Sequence, residues 1–186
     1  MPCEEAVRSL RGPHAMVVLP CSSTPKLILA AGDRMPMTPN AAGSTFSMTS
    51  EAEHLLRLRK WLREELVGHG VPKQEQPNLL LAVGELCANS IQHAYEGKGG
   101  QPIHVSVRSS AESLVIEVED FGKPFDPEHY DAPDLEALPE SGYGIFLVKT
   151  IADSLSIDVA REHGTRWTMV KYRPGYGPAA AGGART

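Results

Sequence analysis

Residues 77–95 read Pro77-Asn78-Leu79-Leu80-Leu81-Ala82-Val83-Gly84-Glu85-Leu86-Cys87-Ala88-Asn89-Ser90-Ile91-Gln92-His93-Ala94-Tyr95. Pro77 suits a first helical turn, where its missing N–H is an orphan in any case. Leu79, Leu80, Val83, Leu86, Cys87, Ser90, Ile91 and Ala94 then supply a broad buried face for a helix running to about Tyr95, and Gly97, Gly99 and Gly100 stop it. Glu85, Asn89 and His93 recur at every fourth position. Four residues advance an α-helix by about 400°, so the three stack as a polar stripe beside the apolar face. A helix laid on a sheet can turn such a stripe toward a cleft; on these residues alone it reads equally as a solvated face. Asn89 is the informative member, because Asn is a weak helix former that competes with the backbone for hydrogen bonds.

Working upstream, residues 45–48 read as a short strand leading into Ser50-Glu51-Ala52-Glu53, a capping box in which Ser50 and Glu53 satisfy orphan amides. The helix that follows, to about residue 67, carries Leu55, Leu58, Leu62 and Leu66 on one stripe and is ended by Gly68 and Gly70. Downstream, 103–107 and 114–118 alternate apolar and polar residues on either side of a short connection, the pattern of paired strands. A loop rich in Pro and acid over 121–139 precedes Gly142 and a helix of about 144–153. Strands of about 155–160 and 165–172 then close the sheet around Gly164. This order predicts an α+β fold: a two-layer sandwich whose mixed or antiparallel sheet is covered by helices on one face.

That domain spans 44–173. Residues 1–43 hold Pro2, Pro13, Pro20, Pro25, Pro36 and Pro39 with no sustained period, and are expected to form a flexible extension. A start at Met35, Met37 or Met48, or a partner-binding arm, are the alternatives for it. Residues 174–186, made largely of Gly, Ala and Pro, are expected to be a flexible tail.

The full chain has 186 residues, 41% hydrophobic and 22% charged, which leaves enough apolar material for a core and excludes collagen, mucin and coiled-coil classes. With 18 Lys and Arg against 23 Asp and Glu the net charge is -5, and no basic block supplies the electrostatic footprint of a nucleic-acid binder. No apolar run reaches the roughly 20 residues of a bilayer crossing, and no secretory signal pattern opens the chain. Cys3, Cys21 and Cys87 have no Cys-x-x-Cys spacing, so neither a disulfide framework nor a zinc site is indicated. The expectation is a cytoplasmic protein that binds neither membrane nor nucleic acid directly.

Three further segments carry candidate chemistry. In Val118-Glu119-Asp120-Phe121-Gly122-Lys123-Pro124, a carboxylate leaves a strand beside a Gly whose missing Cβ permits close approach of a ligand, although Asp-x-Gly is also a common turn. In Ser141-Gly142-Tyr143-Gly144-Ile145, Gly-x-Gly runs into a helix, which is a phosphate cradle or simply a cap. Gly164-Thr165 places a hydroxyl at the last hairpin. Asp120-Phe121-Gly122 spells the magnesium triplet of eukaryotic-type kinases, but no His-Arg-Asp loop accompanies it. Gly142 and Gly144 lack the third Gly and the preceding strand of a dinucleotide fold, and no Walker-type loop is present.

Taken in order, Glu85-x-x-x-Asn89-x-x-x-His93-Ala94-Tyr95, Asp120-x-Gly122-x-Pro124-Phe125-Asp126-Pro127, Gly142-x-Gly144-Ile145-x-Leu147 and Gly164-Thr165 resemble the GHKL (Bergerat) nucleotide-binding superfamily. Within it, the chain looks like the anti-sigma-factor serine/threonine kinase family, over about residues 46–172. The resemblance implies ATP and Mg2+ as cofactors. Asn89 would hold Mg2+ through its amide oxygen, Asp120 would accept the adenine amino group with support from Thr165 and Gly122, and Gly142 and Gly144 would hold phosphates. Residues of about 126–141 would be the lid, short beside those of histidine kinases. Glu85, one turn before Asn89, would act as general base toward a partner's hydroxyl. His93 would touch phosphate or lid, or pack at the helix end. The chain departs from the family picture in its long N-terminal extension and in Tyr143, where many members carry Arg.

The function so implied is an ATP-dependent serine/threonine kinase that phosphorylates an anti-sigma-factor antagonist and sequesters a sigma factor, with homodimerisation left open. The alternative is a non-catalytic ATP-binding switch that sequesters a partner. A histidine kinase half is disfavoured, since His54 stands in no phosphoacceptor context.

Overall fold

The computed structural model describes residues 16–18, 43–126, 143–159 and 163–174. The elements, in chain order, are β1 (Met16–Val18), β2 (Ser44–Thr49), α1 (His54–Gly68), α2 (Gln76–Asn89), a π turn (Ser90–Ala94), β3 (Pro102–Ser109), β4 (Ser113–Asp120), α3 (Tyr143–Ile151), β5 (Ser154–Asp158) and β6 (Arg166–Tyr172). The sheet order is β1-β5-β6-β4-β3-β2, and every pairing is antiparallel. The expected α+β sandwich is present, with the sheet fully antiparallel. The sequence reading placed no strand before residue 45; Met16–Val18 nevertheless pairs with β5 at the sheet edge.

Strand alternation decides which face is covered. Ile103, Val105 and Val107, Leu114, Ile116 and Val118, Leu155 and Ile157, and Trp167 and Met169 point to one side and are buried. Against them lie Leu58, Leu62 and Leu66 of α1, Leu79, Val83, Leu86 and Cys87 of α2, and Ile145 and Val148 of α3. Each such side chain contributes about 1.5–3 kcal/mol by leaving water, which holds the helices to the sheet despite their modest individual propensity. On the opposite face the alternate positions are mostly half-exposed and polar, and Arg108 and Arg166 pair there with Glu117 and Glu119.

Two local expectations are corrected. The capping box does not form: Glu53 occupies the N-cap of α1 in a helical conformation with no side-chain cap bond. Ser50 is instead buried, donating to the Lys98 carbonyl at 2.6 Å and accepting from Gln101 N–H at 3.1 Å, while Glu51 accepts Gly100 N–H at 2.7 Å. The turn at 96–100, with Gly97 and Gly100 at positive φ, leaves backbone groups that no ladder can pair, and Ser50 and Glu51 satisfy them. The second correction is at the end of the long helix. The chain is α-helical only to Asn89 and then widens into the π turn, closed by Tyr95 N–H donating to Ser90 C=O at 3.0 Å.

The π turn has a visible cause. It lets the Ala94 carbonyl accept Lys123 N–H at 2.9 Å and puts the Tyr95 hydroxyl where Phe121 N–H donates to it at 2.8 Å. Both bonds tie the helix end to the segment leaving β4. π bulges of this sort concentrate at functional sites.

Candidate functional site

Three elements converge around the end of α2. The first is α2 itself, where Glu85 and Asn89 lie one turn apart and are both half-buried. The second is α3, whose Gly144 packs directly on them: a Cβ at Gly144 would stand 2.8 Å from Glu85 Oε2 and 3.7 Å from Asn89 Nδ2. The missing Cβ leaves room for the Glu85 carboxylate beside the first turn of α3, the end of a helix that carries its partial positive charge. The third is the exit of β4, where Asp120 is 2% exposed.

Asp120 is held from several sides. Its Oδ1 accepts Gly122 N–H and Thr165 N–H, each at 3.2 Å, and its Oδ2 accepts the Ser90 hydroxyl at 2.8 Å. Its backbone N–H donates to Thr165 C=O at 3.0 Å. Burial pushes its carboxyl above the ordinary aspartate value, against which the Ser90 hydroxyl and the Gly122 and Thr165 amides pull. A buried carboxylate without an opposing cation is costly to maintain in a fold, and sites of this kind concentrate where function requires them.

Thr165 is also buried, and its Oγ1 accepts Phe125 N–H at 2.9 Å, so its hydroxyl fastens the segment after β4. Gly122 is required by contact: a Cβ there would meet the Ala94 carbonyl and stand 2.8 Å from Tyr95 Cδ1. The space opened by its missing side chain is therefore taken by the chain's own π turn, where the sequence reading reserved it for a ligand. Gly164, at φ +85, would drive a Cβ into the Asp120 carbonyl. Cys87, fully buried behind this group, has its thiol pushed up to about 12 by burial and then by the Asp120 charge, which keeps it an inert core residue.

Of the residues expected from sequence, the structure brings Glu85, Asn89 and Gly144 into one contact, and Asp120, Gly122 and Thr165 into another. Ser90 joins the two, being the neighbour of Asn89 and a direct partner of Asp120. His93 does not join either group and is exposed. The residues Ser90–Ala94 form the π turn, so His93 lies beyond the α-helical part of the stripe, which ends at Asn89. Gly142 and nearly all of the expected lid lie outside the described residues. Ser90 and Tyr95 were not singled out as site residues. The signal for Ser90 was a hydroxyl on an otherwise apolar buried face, which needs a partner.

Asn89 also tests the fit of a metal. Its buried Nδ2 has no hydrogen-bond partner, and an orphaned buried group of this kind costs about 1–3 kcal/mol. Turning the amide end over exchanges oxygen and nitrogen, so this apex can offer a hard oxygen to Mg2+. No group of three or more His, Cys, Asp or Glu side chains able to hold a metal occurs among the described residues. Mg2+ would therefore depend on phosphate and water oxygens for most of its shell, as suits its reluctance to dehydrate. No described helix is long and apolar enough to cross a membrane.

This arrangement is that of a GHKL-type domain. The chain belongs to the family of histidine kinase-like ATPase domains, which matches residues 48–171. It is 33% identical over 113 residues to the serine-protein kinase RsbW of Bacillus pumilus (strain SAFR-032), covering 55% of this chain and 68% of that protein. It is 35% identical over 97 residues to the anti-sigma F factor of Clostridium botulinum (strain Eklund 17B / Type B), covering 48% of this chain and 66% of that one. In fold it is similar to the RsbU and RsbW domains of Rv1364c from Mycobacterium tuberculosis, with a TM-score of 0.50 and 16% identity, over 72% of this chain and 34% of that one.

Proposed function

We propose that this protein is an ATP-dependent serine/threonine protein kinase and anti-sigma regulatory factor: it phosphorylates an antagonist protein and, when free of it, sequesters a sigma factor. The observation that carries the reading is the close packing of Gly144 on α2, where an added Cβ would stand 2.8 Å from Glu85 Oε2 and 3.7 Å from Asn89 Nδ2. It sets a carboxylate, a metal-binding amide and the amides of a helix N-terminus within one another's reach, the parts that phosphoryl transfer requires.

In this reading Asp120 receives the adenine amino group and fixes one end of the nucleotide, while Thr165 and Gly122 hold Asp120. Asn89 supplies an oxygen to Mg2+, which when bound neutralises charge on the phosphates. The N-terminal amides of α3 hold the phosphate oxygens. Glu85 takes the proton of the acceptor serine or threonine hydroxyl as that oxygen bonds the terminal phosphorus, while the bond from this phosphorus to the bridging oxygen of the β-phosphate breaks and ADP leaves. The names of the RsbW and anti-sigma F relatives support this assignment of acceptor and partner.

The test is incubation with terminally labelled ATP and candidate antagonist proteins. Phosphoserine or phosphothreonine should appear on one of them and vanish with Glu85→Ala while nucleotide uptake persists. Uptake of ATP with nucleotide-dependent partner capture and no transfer would instead establish the non-catalytic switch. Failure to bind ATP at all would reject both.

A further inference from the structure

Ser90 carries a chemistry that the reading above leaves unused. It is 2% exposed and lies on the face of the helix that packs against the sheet. Its hydroxyl stands 2.8 Å from Asp120 Oδ2 and 3.2 Å from the Leu86 carbonyl, two acceptors for a single proton. When the carboxyl is ionised, the shorter and charge-assisted bond is the stronger.

A carboxylate has about four acceptor directions. Gly122 N–H and Thr165 N–H take two of them at Oδ1, and Ser90 takes one at Oδ2. Among the described residues, one direction at Oδ2 accepts no hydrogen bond. The two amides belong to the backbone and cannot change partner without moving β6 or the segment after β4, so among the described residues Ser90 is the side chain that orients Oδ2.

We propose that Ser90 is the positioning residue that holds Asp120 as an ionised, acceptor-only carboxylate with a single open direction, so that the site selects a 6-aminopurine nucleotide over a 6-oxopurine one. This rests on the nucleotide reading of the site. An exocyclic amino group donates to the open lone pair, whereas a 6-oxo oxygen meets it lone pair to lone pair. Without the Ser90 hydroxyl, a proton on Oδ2 becomes the cheaper way to satisfy the buried carboxyl. The protonated group then donates, which weakens its preference for the amino group.

The surroundings leave this role to Ser90. The titratable groups facing Asp120 are Cys87 on α2 and Tyr95 at the end of the π turn; burial raises both, with a smaller push from the Asp120 charge. Neither is cationic. From β3 the residue opposite Asp120 is Ile103, and from β6 the Arg166 guanidinium bonds Glu119, whose side chain alternates to the other sheet face. Among the described residues no cation offsets the buried charge.

The experiment titrates the Asp120 carboxyl by carbon-detected NMR and measures ATP and inosine triphosphate binding by calorimetry, in wild type, Ser90→Ala and Ser90→Thr. The wild type should prefer ATP by roughly 100-fold or more, as a site built around a substrate donor does. Ser90→Ala should raise the Asp120 titration, weaken ATP binding with recovery as the pH rises, and narrow the ATP preference by about tenfold. Ser90→Thr, which returns the hydroxyl, should restore both titration and preference. If the wild type binds ATP but Ser90→Ala has an unchanged Asp120 titration and an unchanged nucleotide ratio, the proposal is overturned and the nucleotide reading stands. If the wild type binds neither nucleotide, the nucleotide reading fails and base selection falls with it, whatever Asp120 does.

Discussion

Gly144 lies so close to Glu85 that a methyl group on the glycine would sit 2.8 Å from the carboxylate oxygen Oε2. The oxygen ends a flexible side chain, whereas the obstacles at Gly122 and Gly164 are backbone carbonyls. The same substitution at the three glycines therefore has different physics.

Gly144→Ala should displace the Glu85 carboxylate and leave the fold intact. We expect a stability change under about 1 kcal/mol in urea unfolding, and phosphotransfer reduced by roughly 100-fold, the cost of moving a reacting group by about 1 Å.

Gly122→Ala and Gly164→Ala should instead lower stability by about 3 kcal/mol each, since a Cβ would overlap the Ala94 or the Asp120 carbonyl and, at Gly164, also stand at positive φ. Urea midpoints read this directly. Two unaltered midpoints would contradict the packing described for the π turn and the last hairpin.

Asp120→Asn should make the protein more stable at neutral pH and poorer at binding ATP. The amide fits the same bonds: its oxygen accepts from Gly122 and Thr165, and its NH2 donates to Ser90, whose hydroxyl turns to Leu86. In the wild type the folded-state carboxyl titrates above its unfolded value, so the native state holds its proton longer and stability falls as pH rises between the two values. The variant escapes that fall, and the two proteins should converge in stability below the unfolded aspartate value. ATP affinity should drop roughly 10- to 100-fold with the loss of a charged hydrogen bond. Urea unfolding across pH, beside calorimetry, checks both halves.

On the outer sheet face, Arg108 donates to Glu117 at 2.6 and 2.8 Å. Burial raises the Glu117 carboxyl, but the bonds to Arg108, the charges of Arg108 and Arg166, and Ser106 together hold it below the ordinary glutamate value. Its contribution to stability is present above the unfolded glutamate value and is lost as pH falls through the depressed folded value. Glu117→Gln should cost about 1–3 kcal/mol at pH 7 and nothing at a pH below both values. A loss that persists in acid would mean that packing, not charge, holds this pair.

The apolar spacing of residues 55–66 and 79–94, and the alternation of 103–107 and 114–118, placed the helices and strands within a few residues of where they lie. The polar stripe on the second helix pointed to Glu85 and Asn89, and the Asp-x-Gly at a strand exit to Asp120. Those patterns are local, set by 3.6- and 2-residue periods that the chain carries in its own order. The resemblance to a known family then suggested the roles proposed for them, which the spacing alone left open.

What the order of residues did not decide was which polar groups would meet. Ser50 reads as a helix cap by spacing, yet its hydroxyl is claimed by Lys98 and Gln101, 48 and 51 residues away. His93 continues a fourfold stripe on paper, yet it is exposed and lies in the π turn whose Ala94 and Tyr95 bond the segment after β4. Ser90 looks like one small member of an apolar face and becomes the partner of Asp120, 30 residues on. Helix and strand periods arise from backbone geometry within a few residues. The choice among competing hydrogen-bond partners is made only when distant segments are packed together and every buried polar group must find one, so that part of the site belongs to the tertiary structure.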